Sequence, residues 1–309
     1  MPTSILRKNQ LDRAYIITGP TSGFGRATAF EVATHGTVVL VGRDRERLRA
    51  LQSEIQQKGE NAETVVCDFS DVESVRRVAT EIVGLGLPLA GLVNNAGVMQ
   101  LRPTKNARGW DMSYATNHLG PFVLTQALIP HLPDSANVVF IVSGVEDPER
   151  KPAKAAGFRG GRYISAEASA RGEWEPGGAK NVGYDAYATS KQCELAAALE
   201  FARETPRIHF NAVEPGFAPG TGLGRDANAF LRFVAKYLLS PLALHIQYWS
   251  TPELTAPVIT NVLVNKEGKT GVQQWMGHRD IASTMVYLKG LRNSDVQARI
   301  NKGSLAAFA

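Results

Sequence analysis

The chain has 309 residues, of which 44% are hydrophobic and 20% charged, enough apolar material for a core and too little charge for a disordered protein. Its formal charge of +5 comes from Lys and Arg interspersed with acids, so we expect no nucleic-acid partner. Neither a membrane span nor a signal-peptide core is evident, and we therefore expect a cytoplasmic protein without integral membrane contact.

Cysteine and histidine usage argues against disulfide and metal chemistry. Cys67 and Cys193 are the only cysteines and lie far apart, which predicts reduced thiols. The histidines form no pair at metal-ligand spacing, so we expect no metal. The chain also lacks the Gly-x-Ser-x-Gly turn of serine hydrolases and a full phosphate loop ending in Gly-Lys-Ser/Thr.

In the first half of the chain, short β-branched runs alternate with longer amphipathic stretches. The predicted strands are AYIITG, TVVLVG, ETVVCD, LAGLVNNAG and NVVFIVSG. The predicted helices between them cover residues 25–35, 44–58, 71–83 and 110–132. This alternation is typical of parallel βαβ units and predicts an α/β fold with a doubly wound parallel sheet.

The second half contains two long irregular stretches. Periodicity fails over 144–183, where Trp174 is the expected apolar anchor, and returns in a predicted helix at 185–203 and the strand RIHFNAV. The segment 222–250 follows and is interpreted as a lid, whose predicted helix at 228–239 either lines the pocket or packs on the core. Because strands lie on both sides of the insertion, we expect one domain, 1–309, with extended substrate loops.

A glycine-rich turn, TGPTSGFG, follows the first predicted strand and leads into a helix. Gly19, Gly23 and Gly25 allow a tight turn and close approach to a diphosphate at the helix start. The spacing differs from Gly-x-Gly-x-x-Gly, so the turn alone is weak evidence for a dinucleotide. Its position after the first strand favours a Rossmann-type cofactor site.

The ends of the second and third strands carry charged residues that bear on the choice of cofactor. Arg43 suits a 2′-phosphate and so favours NADP (NADPH) over NAD. Asp44 is either a ribose acceptor or the N-cap of the next helix. Asp68 either accepts from the adenine amino group or caps the third helix, a role for which Asp71 competes.

Six motifs together resemble the short-chain dehydrogenase/reductase family and occur in the family's order from about residue 12 to 264. They are TGPTSGFG at 18–25, NNAG at 94–97, Asn117 in ATNHLG, Ser143 in IVSG, YATSK at 187–191, and EPG at 214–216. The resemblance implies an NAD(P)-dependent oxidoreductase that acts on a small-molecule carbonyl or alcohol.

The expected catalytic residues are Asn117, Ser143, Tyr187 and Lys191. Tyr187 is suited to give a proton to a carbonyl that accepts hydride, and Lys191 lies one helical turn further on the same face, where its charge lowers the phenol pKa. The resemblance implies that Lys191 also holds the nicotinamide ribose, Ser143 binds the carbonyl and Asn117 positions a relay water. Singly, each residue also has an ordinary structural reading.

The resemblance also implies a cofactor cleft. Asn95 and Gly97 would line the adenosine ribose side, Pro215 and Gly216 would lie by the nicotinamide, and Thr221 near its carboxamide or the diphosphate. The complete expected set is Gly19, Thr21, Ser22, Gly23, Phe24, Gly25, Arg43, Asp68, Phe69, Asn95, Ala96, Gly97, Tyr187, Lys191, Pro215, Gly216 and Thr221.

The 43 residues between Ser143 and Tyr187 exceed the usual family spacing. Together with the sequences around Asn117 and Tyr187, this long spacing makes the chain similar to the retinol dehydrogenase and protochlorophyllide reductase branch. The resemblance implies a bulky, mainly apolar substrate. Two alternatives stay open, an NAD-dependent alcohol dehydrogenase and a non-catalytic NADP-binding regulatory protein. The tail at 276–309 matches no motif and either crosses the pocket or forms a homo-oligomer contact.

Overall fold

The computed structural model of the protein describes residues 13–218, 249–265 and 273–276. Within these ranges, seven parallel strands form one sheet in the order β3-β2-β1-β4-β5-β6-β7. The strands are β1 (Ala14–Thr18), β2 (Thr37–Gly42), β3 (Ala62–Val66), β4 (Leu89–Asn94), β5 (Asn137–Ile141), β6 (His209–Glu214) and β7 (Gln273–Met276). The predicted doubly wound parallel sheet is confirmed.

Helices connect the strands, as parallel pairing requires. They are α1 (Gly23–Ala33), α2 (Arg45–Gln57), α3 (Val72–Gly84), α4 (Met112–Tyr114), α5 (Gly120–Leu128), α6 (Lys151–Ala155), α7 (Ala166–Arg171), α8 (Val182–Glu204) and α9 (Pro252–Val264). A π-helical turn, Ala115–Leu119, joins α4 to α5, and 3-10 turns occupy Ile129–His131 and Gly144–Glu146.

The sheet separates two hydrophobic cores. Strand side chains alternate between them, so that Ile16 faces one core and Ile17 the other. Helices α3, α5 and α8 pack on the first face, and α1, α2 and α9 on the second. Both faces are therefore covered, as is usual for a parallel sheet.

The strand order reverses between β1 and β4, which are adjacent in the sheet although α1 to α3 separate them in sequence. In open α/β sheets, ligands bind outside the carboxyl ends of the strands at such a switch point. The glycine turn after β1 and the NNAG loop after β4 meet at this position.

Several elements differ from the sequence expectations. The predicted helix at 110–132 is divided by the π-helical turn, and the insertion at 144–183 contains α6 and α7. The expectation that Trp174 anchors the insertion is wrong, because Trp174 is only half-buried whereas Phe158 and Tyr163 are buried. Helix α9 and strand β7 were not predicted.

Candidate active site

The glycine turn after β1 forms a close-fitting backbone cradle. Gly19 has φ +65° and Gly23 φ +53°, conformations that favour glycine. A Cβ on Gly25 would collide with the Asn95 amide and the Gly19 carbonyl oxygen. Helix α1 begins after Ser22, whose side chain makes no capping bond. The space and the first N–H groups of α1 therefore fit an anionic diphosphate.

Hydrogen bonds tie this cradle to the loop after β4. Asn95 Nδ2 donates to the carbonyl oxygens of Thr18 at 2.9 Å and Gly19 at 3.1 Å. The Thr18 hydroxyl oxygen accepts from the N–H groups of Asn95 and Ala96, both at 2.9 Å. These hydrogen bonds therefore join the glycine turn to the NNAG loop, although the bonded residues are 77 positions apart in sequence. Thr18 was not among the expected site residues, although it stands in the quoted motif.

Basic side chains lie at the end of β2. Arg43 is exposed directly after the strand, while the Asp44 carboxylate accepts from the Arg47 N–H at 3.1 Å and so caps α2. The Arg47 guanidinium donates to the Thr21 carbonyl oxygen at 3.1 Å, beside the glycine turn. Arg47 was not predicted as a site residue, because its position one turn into α2 belongs to no motif.

The end of β3 resolves the competition between two acids. Asp71 caps α3 by accepting from the Glu73 N–H at 3.1 Å. Asp68 instead accepts from the N–H and hydroxyl of Ser70, at 2.9 and 2.8 Å, and its side chain is exposed. Phe69 is buried in the first core. The capping reading of Asp68 is thus wrong, and its expected contact with adenine stays a prediction.

Asn117 lies in the π-helical turn and is buried. Its Oδ1 accepts from the Val98 N–H at 2.8 Å, and its Nδ2 donates to the Val98 carbonyl and the Ser190 hydroxyl, both at 2.9 Å. A Cβ on Gly97 would lie 3.4 Å from Asn117 Oδ1 and 3.8 Å from Lys191 Nζ. Asn117 therefore fixes the NNAG loop against α8, next to Lys191.

Tyr187, Lys191 and Ser143 come together at the carboxyl edge of the sheet. Tyr187 is 5% exposed, and Lys191 Nζ lies 5.9 Å from its ring centroid. Burial raises the pKa of Tyr187, while the Lys191 charge and a hydrogen bond with Ser143 offset part of that rise. The phenol is therefore protonated at neutral pH, as a proton donor needs to be.

The Lys191 ammonium is held from two sides. Its Nζ donates to the Ile141 carbonyl oxygen and to Glu194 Oε2, both at 2.7 Å. Burial alone would lower the pKa of Lys191, but the Glu194 carboxylate and Tyr187 raise it above its ordinary value. Sequence reasoning missed Glu194, although its position three residues after Lys191 places it on the same helix face.

A second buried ion pair anchors the insertion beside Ser143. Arg150 Nη2 donates to Glu214 Oε1 at 2.6 Å, and the two side chains are 11% and 7% exposed. Burial raises the pKa of Glu214, and Arg150 with the Gly144 N–H offsets part of that rise. The pair joins the insertion to the end of β6, where Pro215 and Gly216 follow.

An apolar cluster surrounds Tyr187. The Phe158 and Tyr184 rings stack with centroids 4.2 Å apart. The cluster consists of Met99, Val145, Ala153, Phe158, Tyr184, Tyr187 and Ala188. Met99, Val145 and Tyr184 are half-buried and so present apolar surface next to the phenol. Three of these residues come from the insertion, which thereby supplies one wall of the site.

Several expected features lie outside the described residues. They are Thr221, the helix at 228–239 with most of the lid segment 222–250, and the tail after 276. At the end of the lid segment, Trp249 is described and contacts Phe217 edge to face, with centroids 5.2 Å apart.

Cys193 is a free thiol fully buried in α8, and burial raises its pKa well above the ordinary value, which makes it unreactive. Across residues 13–218, 249–265 and 273–276, no cluster of His, Cys, Asp and Glu could hold a metal ion. None of the described helices is long and apolar enough to span a bilayer.

Comparisons with known proteins agree with the geometry. The family model described as short chain dehydrogenase matches residues 13–153. A candidate daunorubicin C-13 ketoreductase, DnrU, from Streptomyces sp. (strain C5) is 30% identical over 72% of this chain and 71% of its own length. Human retinol dehydrogenase 11 is 38% identical over 40% of each chain.

Among solved structures, a candidate short chain dehydrogenase from Shigella flexneri 2a complexed with NADP superposes with a TM-score of 0.61 and 25% identity. The superposition covers 87% of this chain and 98% of that one. The order of motifs, the glycine cradle and these similarities give one answer. The chain belongs to the short-chain dehydrogenase/reductase family of nicotinamide-cofactor-dependent oxidoreductases, and within it resembles the retinol dehydrogenase type.

Proposed function

We propose that the chain is an NADPH-dependent oxidoreductase that reduces the carbonyl of a bulky, mainly apolar small molecule, with Tyr187 as the proton donor. The observation that carries this proposal is the Tyr187 phenol, which is buried, hydrogen-bonded with Ser143 and bordered by the apolar cluster. We also propose that the sheet and the insertion act as one catalytic domain, because the insertion supplies a wall of the same site.

The chain's own residues account for the proton transfer. A carbonyl oxygen that becomes an alkoxide needs hydrogen-bond donors and a proton. Ser143 donates to that oxygen, and Tyr187 gives it the proton. Burial keeps the phenol protonated at neutral pH, the form in which it can give a proton to the alkoxide. Lys191 stabilises the phenolate that remains, and Asn117 holds the loop around it through Val98 and Ser190.

The glycine cradle and the basic residues after β2 support the choice of cofactor. NADPH supplies the hydride when bound. The first N–H groups of α1 would hold its diphosphate, and Arg43 would meet the 2′-phosphate. Arg47, whose guanidinium donates to the Thr21 carbonyl oxygen, adds a second positive charge between the end of β2 and the glycine turn. Asp44 is engaged as a helix cap, which weakens its case as the ribose acceptor of an NAD enzyme.

Replacing Arg43 with Ala is expected to raise the dissociation constant of NADPH roughly tenfold or more, because a hydrogen bond to a charged group is worth about 1.5–3 kcal/mol. NADH, which lacks the phosphate, should bind as before. The measurement is fluorescence titration with both cofactors, and Arg49→Ala, which removes an exposed cation from the following helix α2, is the matched control. Equal losses for the two cofactors would make Arg43 a structural residue.

The apolar cluster supports the proposed substrate class. Met99, Val145 and Tyr184 offer half-buried apolar surface to a ligand whose carbonyl lies at Tyr187. The names of two relatives, a daunorubicin ketoreductase and a retinol dehydrogenase, also indicate bulky molecules.

With NADPH, we expect kcat/KM for an extended aromatic or isoprenoid aldehyde to exceed that for acetone-sized or sugar-like carbonyls at least about tenfold. Burying two additional methylene groups is worth about 1.6 kcal/mol, which suffices for that ratio. A matched pair of aldehydes of equal length, one with hydroxyl groups along its chain, separates apolarity from size. Faster reaction of the small polar carbonyls would refute the proposed substrate class.

A further inference from the structure

A buried carboxylate lies behind the Tyr187–Lys191 pair. Glu194 is 1% exposed, and its Oε2 accepts from Lys191 Nζ at 2.7 Å. Among the residues that the structure describes, the buried Oε1 of Glu194 has no hydrogen-bond partner. A buried carboxylate with one oxygen unsatisfied is costly to keep, so its place against a catalytic lysine calls for a functional explanation.

The position of Glu194 gives it influence over both proton-carrying groups. It lies one helical turn after Lys191, which itself follows Tyr187 by one turn, so the three groups share one face of α8. The negative charge of Glu194 raises the pKa of Tyr187, whereas the positive charge of Lys191 lowers it. The carboxylate therefore opposes the pull of the lysine on the phenol proton.

Other charged or titratable groups lie on the elements packed against α8. They are Tyr114 on α4, His118 on the π-helical turn, Glu146 on the 3-10 turn, and His209 and Glu214 on β6. Burial lowers the pKa of His118 to about 3, so that ring is neutral at pH 7. Glu214 also raises the pKa of Tyr187, but Arg150 is paired with it. Lys191 is the charged group that acts on Glu194 itself.

We infer that Glu194 is a positioning residue that fixes the Lys191 ammonium against the end of β5 and sets the proton affinity of the Tyr187–Lys191 pair. This inference rests on the proposed function, in which Tyr187 is the acid. While Glu194 is ionised, the pair holds its proton more tightly, so the phenol stays protonated to higher pH but is a weaker acid. When Glu194 takes up a proton, the lysine charge acts on the phenol without opposition.

Burial raises the pKa of Glu194 to about 7, and Lys191 offsets only part of the rise. The carboxyl thus changes its charge near neutral pH. A rise in pH through this range ionises Glu194 and strengthens the hold of the pair on its proton. The reductive reaction should therefore keep its proton donor at mildly alkaline pH.

The test is the ionisation of Tyr187, read as the tyrosinate absorbance of the protein minus that of its Tyr187→Phe variant. Glu194→Gln should lower the apparent pKa of the pair by about one pH unit, the size expected for one buried charge in an effective dielectric of about 20. Removing a negative charge lowers this pKa whichever of the two groups gives up the proton. The alkaline limb of the reductive kcat profile should move by the same amount.

Two further variants keep the result interpretable. Glu194→Met also removes the charge but leaves no amide to satisfy, so it should produce the same downward shift even if Gln disturbs folding. Glu200→Gln is the matched control, because Glu200 lies on the same helix and pairs with the exposed Arg203. It should leave the apparent pKa unchanged.

An unchanged pKa in folded Glu194→Gln or Glu194→Met, or a shift to higher pH, would overturn the inference. The absorbance titration needs no turnover, so its outcome is independent of the proposed reaction. A protein that shows the downward shift but reduces no carbonyl would contradict the proposed function alone. Carbonyl reduction without the shift would contradict the role of Glu194 alone.

Discussion

Tyr187→Phe is expected to lower kcat for carbonyl reduction at least about a hundredfold, the lower range for loss of a general acid. The phenol is buried and is the proposed proton donor, and no described residue next to it offers a replacement with the same position against Ser143. Binding of NADPH should change little, because Lys191 and the glycine cradle stay in place. The measurements are steady-state turnover and cofactor titration on the same preparation.

Tyr15→Phe is the matched control for this prediction. Tyr15 is also buried, but it lies on β1 in the second core, away from the carboxyl edge of the sheet. It should retain nearly full turnover. Near-normal turnover in Tyr187→Phe would remove Tyr187 from its assigned role, and loss of NADPH binding in that variant would indicate a structural role instead.

Arg150→Ala is expected to lower the free energy of unfolding by about 3–5 kcal/mol at neutral pH, because it leaves the Glu214 carboxylate buried without its cation. The Gly144 N–H alone does not balance that charge. Since Glu214 lies beside the nicotinamide end of the expected cleft, the loss should also reduce activity. The measurement is denaturant unfolding followed by fluorescence.

The pH dependence of this loss has a definite sign. Burial raises the pKa of Glu214 in the folded protein, and removing Arg150 raises it further. A carboxyl with a raised folded pKa destabilises the protein above its unfolded pKa and stops doing so as it becomes protonated. The deficit of Arg150→Ala should therefore widen as pH rises and shrink as pH falls.

Lys154→Ala provides the control, because Lys154 pairs with Glu149 in the same insertion but both side chains are exposed. It should cost less than about 1 kcal/mol. If Arg150→Ala lowered the free energy of unfolding no more than Lys154→Ala does, the buried pair would not anchor the insertion. A loss that grows towards acid pH would contradict the assigned charge of Glu214.

Much of the fold could be predicted from the sequence because the signals for its strands and helices are local. β-branched runs and Asp caps marked the strands and helices of the first half, and Asp44 and Asp71 do cap α2 and α3. The motifs then placed the glycine turn, Asn95, Ser143 and Tyr187 after strands or on one helix, and parallel strands bring such positions to one edge. The structure brings these residues together as that argument requires.

The features that were not predicted depend on contacts distant in sequence or on weak local signals. The Arg150–Glu214 pair joins residues 64 apart, which no periodicity reveals. A π-helical turn leaves the helical pattern of the residues around Asn117 unchanged. Helix α9 contains Pro257, a residue that disfavours helices, and β7 begins with two glutamines, which are not typical of strands. Neither element was therefore predicted from the sequence. Glu194 is the one unpredicted residue that could have been found from helical spacing alone, because it lies three residues after Lys191.

The proposed reaction is hydride transfer to a carbonyl, with the proton supplied by Tyr187. Its most direct test is a single-turnover reaction of NADPH carrying deuterium at the transferred position with an extended isoprenoid aldehyde. We expect one deuterium on the carbinol carbon per NADPH oxidised, at a rate that falls at least about a hundredfold in Tyr187→Phe. Tight binding of NADPH without deuterium transfer to this aldehyde, or to any other aldehyde or ketone tested, would contradict the proposed reaction.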